Sequence, residues 1–273
     1  MTELQDRAAA AVAVPVRPAR STVSRAGRGL LAVVGLAFLA LCVRLADVDP
    51  IELAQGLPTM AGWIREAFPP DLSVLDTLLL RALETVAIAV VGTVLAVVLA
   101  LPLCVLAART TTPNGWLRLP VRLFLNGLRG VDAFVFALLF VAAVGLGPFA
   151  GVLGIALHTW GSVGKLFAES IESLPSGPLE AAELTGASRQ RTSAYTLLPD
   201  VLPSASGIGL YLREFNIRAS TVLGVVGAGG IGQELKNSVD LLAFDRLATI
   251  LLVVLVMVTA VDQVSARLRT ALA

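Results

Sequence analysis

Charge is scarce in this chain. Asp, Glu, Lys and Arg make up 15% of its 273 residues and hydrophobic types 56%, whereas a soluble domain carries about 25% charge. That deficit excludes an ordinary water-solvated globule, and the mean hydropathy of +0.82 points to a bilayer as the second solvent. The formal net charge is only +1, so no overall bias calls for nucleic acid. The two cysteines, Cys42 and Cys104, both sit in apolar runs, which excludes a disulfide framework and C-x-x-C metal spacing. A single histidine, His158, has no second histidine to form a zinc pair. No G-x-x-x-x-G-K-[ST] loop is present, so the chain does not hydrolyse ATP by that chemistry. No HExxH or serine–histidine–acid arrangement supports an intramembrane enzyme. Period-two alternation is also missing, which leaves a β-barrel unsupported.

What is present is apolar length. Six stretches, about 29–46, 77–108, 121–145, 149–173, 197–226 and 246–267, are each long enough to cross hydrocarbon as a helix. The expected fold class is therefore all-α, a polytopic membrane bundle of about six transmembrane helices. The first stretch reads as an uncleaved span rather than a signal peptide, because Leu41 is too bulky beside Cys42 for a lipoprotein cleavage box. Residues 1–27, with Arg17, Arg20 and Arg25, read as a disordered cytoplasmic tail.

Arginine sets the expected orientation. The tail, Arg109, Arg118 and Arg122, Arg189 and Arg191, and Arg267 and Arg269 all fall on one side of a six-span thread. The opposite loops carry Asp47, Asp49, Glu52, Glu66, Asp71, Asp240 and Asp245. Both termini are accordingly expected in the cytoplasm of a cell-membrane protein, with residues 50–68 an amphipathic helix on the outer surface.

Two segments invite a functional reading. Gly227, Gly229 and Gly232 spell G-x-G-x-x-G after a β-branched run, and Asp245 follows where a ribose-binding acid would stand. A dinucleotide loop needs a soluble βαβ sheet, and apolar helices on both sides leave no room for one. Two readings stay open: glycines that let helices approach closely, or a broken helix lining a pathway with its amides available to an anion. The second segment is "SLPSGPLEAAELTGASRQRTSAYTLLPDVLP", a polar connection with its own helical pattern between spans four and five.

That connection resembles the EAA loop of binding-protein-dependent ABC importer permeases. Glu180-Ala181-Ala182 is followed by Gly186 and Ala187, then Thr196, one further residue and Leu198-Pro199. Thr196 stands where the family usually has an aliphatic residue. "LYLREFNIRASTVLGVVGAGGIG", residues 210–232, is similar to the fifth-span region of the phosphonate-type members. The likeness covers most of residues 75–265. It implies a type I ABC importer permease fold, residues 28–273 forming the permease domain and 177–199 its ATPase-coupling segment. It further implies a homodimer with two ATPase subunits that bind ATP and magnesium, an extracytoplasmic binding protein, no cofactor in this chain, and a phosphonate, phosphate or phosphite as substrate.

The polar residues Arg213, Glu214, Asn216 and Arg218 interrupt an apolar helix, which marks a functional hypothesis because such groups are costly in lipid. Glu214 and Arg218 are spaced to pair on one face. The candidate translocation residues are Tyr211, Glu214, Asn216, Arg218 and Ser220 with Gly227, Gly229, Gly230 and Gly232. Arg129 with Asp132 and Arg81 with Glu84 are expected local pairs, and His158 and Trp160 are expected to pack beside Gly161 and Gly164. Two other transport classes remain: a secondary anion carrier, which would have no use for the EAA segment, and an importer permease for another solute such as methionine.

Overall fold

A computed structural model describes residues 25–112, 114–175, 177 and 198–272. The coupling residues Glu180, Ala181, Ala182, Gly186 and Ala187 lie outside the described residues. The chain divides into two units, residues 1–60 and 61–273. In the first, α1 (Arg25–Leu45) leads through a short turn into α2 (Pro50–Glu66), where Asp49 Oδ1 accepts the Ile51 N–H at 2.7 Å. The leucines and valines of α1 are exposed throughout, as a helix that meets lipid requires.

The second unit contains α3 (Leu75–Ala107), α4 (Gly115–Gly130), α5 (Ala133–Val144), α6 (Pro148–Glu172), α7 (Leu198–Leu223), a 3-10 turn (Gly224–Val226), α8 (Ile231–Asp240) and α9 (Phe244–Leu272). Among the described residues there is no strand. By length and composition α3 and α9 qualify as spans alone. The bent pairs α1–α2 and α4–α5 raise the number to four.

α6 and α7 match the fourth and fifth expected stretches in position but not in apolarity. The reason is their neighbours. α6 is buried along Ala150, Gly154, Ile155, Thr159, Gly161, Ser162, Val163, Phe167 and Ile171, and packs on α3, α4, α5 and α7. A helix enclosed by protein needs small residues for close approach rather than a lipophilic exterior.

The third expected stretch, 121–145, is not one helix. It bends by 84° between α4 and α5. Asp132 supplies the break: its carboxylate accepts the Phe134 N–H at 2.8 Å as an N-cap, with Val131 extended before it. The Val131 carbonyl, released from the helix ladder, accepts the Nδ1–H of His158 at 2.8 Å. The lone histidine therefore satisfies a helix break. Among the described residues no ion pair joins Arg129 to Asp132, because the acid is committed to the cap. The expected Arg81–Glu84 pair does form, at 2.8 Å.

The two ends of the bundle are tied differently. At the end of α6, Glu172 Oε1 accepts from the Arg109 N–H (2.6 Å) and pairs with Arg122, whose Nε–H also donates to Ala107 O (2.8 Å). The last turn before the coupling segment is thus pinned to the α3–α4 connection. At the opposite end, Asp71 accepts from the Ser73 hydroxyl (2.6 Å) and N–H (2.9 Å), which hold its carboxyl below the usual carboxylate range. Thr249 of α9 donates to Asp71 O at 2.8 Å.

Candidate functional site

α7 sorts its residues by face. Leu212, Asn216, Ile217, Ser220 and Leu223 point into the bundle, while Tyr211, Phe215, Arg218 and Val222 are exposed. Positions three and four apart share a helix face, so the exposed set forms one stripe with Glu214 at its edge.

On the buried face Asn216 is fully enclosed. Its Nδ2 donates to Thr93 Oγ1 of α3 (2.8 Å) and to Thr159 Oγ1 of α6 (2.9 Å), and the Thr159 hydroxyl reaches Asn216 Oδ1 at 3.2 Å. Ser220 donates to Thr85 O and Ile217 O, each at 3.0 Å. Asn216 thereby ties α3, α6 and α7 together, and Ser220 ties α7 to α3.

The exposed face carries the charges. Glu214 Oε1 pairs with Arg218 Nη2 at 2.7 Å, and Glu214 Oε2 with Arg269 Nη2 of α9 at 3.1 Å. The first pair is the one the spacing predicts. The second joins residues far apart in sequence, and nothing in the local pattern announced Arg269. Arg213 turns the other way and donates to Ser265 Oγ at 3.0 Å.

The glycine loop sits beyond the end of α7, packed on backbone. Gly227, Gly229 and Gly230 have φ of +86°, +80° and +75°, a region that side chains other than hydrogen disfavour. Gly227 O accepts the Gly147 N–H at 2.9 Å from the α5–α6 turn. A Cβ on Gly229 would stand 2.9 Å from Glu84 Oε1 and 3.0 Å from Pro148. A Cβ on Gly232 would run into the Thr221 carbonyl. The Ile231 N–H, at the start of α8, donates to Thr85 Oγ1 at 2.8 Å. No βαβ unit surrounds this loop among the described residues; α3, α6 and α7 do.

α8 is latched at its outer flank. Glu234 lies 3.6 Å from Arg81 Nε of α3 and 3.5 Å from Arg246 Nη2 of α9, extending the Arg81–Glu84 pair into a chain of four charges. Sequence reasoning missed Glu234, which has no partner at helical spacing.

Thr85 is the keystone of the loop, since it accepts from Ile231 and donates to Arg81 O at 2.9 Å. Thr85→Val keeps the shape and removes the acceptor. The orphaned buried N–H should cost about 1–3 kcal/mol, read as a lower thermal midpoint of the purified complex, with Thr259→Val on the exposed face of α9 as the unaffected comparison.

A profile of the family described as "Binding-protein-dependent transport system inner membrane component" matches residues 92–272. The chain is 51% identical over 237 residues to the putative phosphite transport system permease protein HtxC of Stutzerimonas stutzeri, covering 87% of this chain and 84% of that one. It is 42% identical to the phosphite transport system permease protein PtxC of the same organism, over 88% of each. In three dimensions it is similar to a chain of the MetNI methionine ABC transporter in an inward-facing conformation, with a TM-score of 0.65 at 21% identity, over 74% of this chain and 99% of that one.

Proposed function

The chain belongs to the inner-membrane components of binding-protein-dependent transport systems, and on that footing we propose that it pairs with a second copy of itself to form the entry path for a small phosphorus oxyanion. It is the membrane-embedded permease subunit of an ABC importer and not an enzyme. Its fold implies an ATPase and a binding protein as partners. Phosphite is the first candidate substrate, with phosphate and phosphonates beside it, because the relatives that match at 51% and 42% identity over 87–88% of this chain are named for phosphite. Methionine has behind it a sequence match at 27% identity to a probable D-methionine permease and a structural likeness at 21% identity, which speaks for the fold alone.

One observation carries the reading: the Arg218 side chain is 53% exposed in the last third of α7, five residues before its end at Leu223, on the same stripe as Tyr211 and beside Glu214. A guanidinium on a spanning helix costs several kcal/mol wherever it is turned to the hydrocarbon rather than to water or protein. The stripe therefore faces a second copy and the water-filled path between them. Arg218 presents a planar fork of N–H donors suited to phosphorus oxyanions. Asn216 and Ser220 brace the stripe from behind, and Gly227, Gly229, Gly230 and Gly232 shape the wall at its outer end.

The coupling role goes to the segment 177–199. Glu180, Ala181, Ala182, Gly186 and Ala187 form the part that enters the ATPase, and Leu198 and Pro199 carry motion into α7. A helix held crosswise at the cytoplasmic face transmits rigid-body closure of a nucleotide-driven dimer. Both termini then lie in the cytoplasm, residues 28–273 form the permease domain, and ATP with magnesium binds in the ATPase.

The test is uptake into proteoliposomes. Phosphite should enter only when ATP, the ATPase and the binding protein are all supplied, and methionine should not enter. Uptake by this subunit alone on a proton or sodium gradient would reject the reading and establish a secondary anion carrier.

A further inference from the structure

Resting on the transport reading above, we propose that Glu214 is an internal counter-anion, which holds Arg218 and Arg269 as a two-arginine cradle for the oxyanion and occupies that cradle between passages. The bonding pattern is the argument. Each carboxylate oxygen of Glu214 takes one arginine: Oε1 takes Arg218 at 2.7 Å, Oε2 takes Arg269 at 3.1 Å. The arginines come from different helices, α7 and α9, and converge only through this acid. Each gives it a single Nη2, so among the described residues most donors of both forks have no partner. Their side chains are 53% and 42% exposed, while that of Glu214 is 14% exposed. The open side of the cluster is therefore cationic and the buried side anionic.

The surrounding charges do not cancel this. Arg213 is turned inward to Ser265, with its Nε buried and unbonded. Asp262, on the same helix as Ser265, has a buried Oδ1 without a hydrogen-bond partner. Around Glu214 the described charges are Arg213, Arg218 and Arg269 with Asp262 farther along α9, and the exposed positive groups are Arg218 and Arg269.

A carboxylate and a phosphorus oxyanion ask for the same thing from an arginine pair: two oxygens, each taking a charge-assisted N–H. An arriving oxyanion replaces the contacts of Glu214 bond for bond, so neither guanidinium is bare at any stage. When Glu214 returns, the anion is released. Such an exchange keeps the site selective for oxyanions and weak enough to let go.

The experiment uses the reconstituted complex with ATP inside, binding protein outside, and unlabelled phosphite added to the lumen on the cytoplasmic side. Glu214→Gln removes the competitor and keeps the size, so lumenal phosphite should inhibit uptake at about a tenfold lower concentration, with slower turnover. Arg269→Gln should do the reverse and raise the inhibiting concentration. Glu214→Asp, which retains the charge, should stay within about twofold of the native value. A purely structural tie between α7 and α9 would make Glu214→Gln and Arg269→Gln act alike. Shifts of the same sign, or none, overturn the proposal. If the Gln variant of Glu214 does not assemble, the direction of the Arg269→Gln shift decides alone. Should the native vesicles show no ATP-driven phosphite uptake, it is the transport reading that has failed.

Discussion

Gly161→Val should leave no assembled permease in the membrane, and Gly161→Ala should already lower its thermal midpoint by many degrees. A Cβ at this position stands 2.6 Å from Arg129 N and 2.6 Å from Leu125 O. Both are backbone atoms of α4, held by the helix ladder, and cannot swing aside as a side-chain end can. Overpacking of this kind costs about 3 kcal/mol even where some relaxation is possible, and here α6 would have to leave α4. Gly164, one turn on, grades the argument, since a Cβ there meets Leu125 Cδ2 at 2.7 Å. That is the far end of a flexible chain, so Gly164→Ala should cost clearly less. Gly127→Ala, on α4 with open space around it, should be neutral or slightly stabilising, because alanine is the better helix former. Equal midpoints for the variants at 161 and 127 would mean that α4 and α6 do not pack as described.

The same helix explains how much of the fold could be read from residues alone. Apolar length located α1, α3 and α9 to within a few residues, because lipid-facing helices must be apolar along their whole length. α6 was also located, although its exterior is protein. Gly161 and Gly164 signalled close packing, but no local pattern says which helix supplies the other wall. The break at Val131–Asp132 was missed for a definite reason. Its cap is a single aspartate inside an apolar run, where an ion pair with Arg129 was the simpler local account. The carbonyl it frees is answered by His158, 27 positions away, and such pairings are invisible to any windowed reading.

The candidate site divides along the same line. Glu214 with Arg218 was legible, being one turn apart on one helix. Arg269 was not, because its partnership with Glu214 spans 55 positions and its place near the chain end reads as a topology signal. The sequence groups Asn216 and Ser220 with the candidate translocation residues, but composition does not say which way they point. The structure turns both toward α3, where Thr93 and the Thr85 carbonyl meet them. The glycine loop shows the converse risk: a sequence pattern shared with dinucleotide loops arises here from positive φ and backbone contact with Pro148 and Thr221.

Glu180→Lys and Gly186→Leu should produce the other large effect, an importer whose engine runs while nothing enters. ATP hydrolysis by the partner should persist and phosphite uptake should fall to the background of vesicles without ATP. The reasoning starts at the mount. α6 ends at Glu172, which is bonded to the Arg109 N–H and paired with Arg122, so the segment leaves the bundle from a fixed point. It re-enters at Pro199 in the first turn of α7, the helix that carries Arg218. On the coupling role proposed for residues 177–199, a displacement of residues 180–187 would be passed to α7. On the sequence pattern, Glu180 is expected near the start of a helical run, where the helix dipole would favour it and its carboxylate could meet a partner arginine; lysine would reverse both terms of that contact. Glu172→Ala separates the mount from the contact. It should leave the ATPase bound but lower uptake per ATP hydrolysed by a few-fold, an intermediate loss. Uptake near the native rate in Glu180→Lys, with the ATPase still attached, would mean that the stroke enters the bundle somewhere other than through residues 177–199.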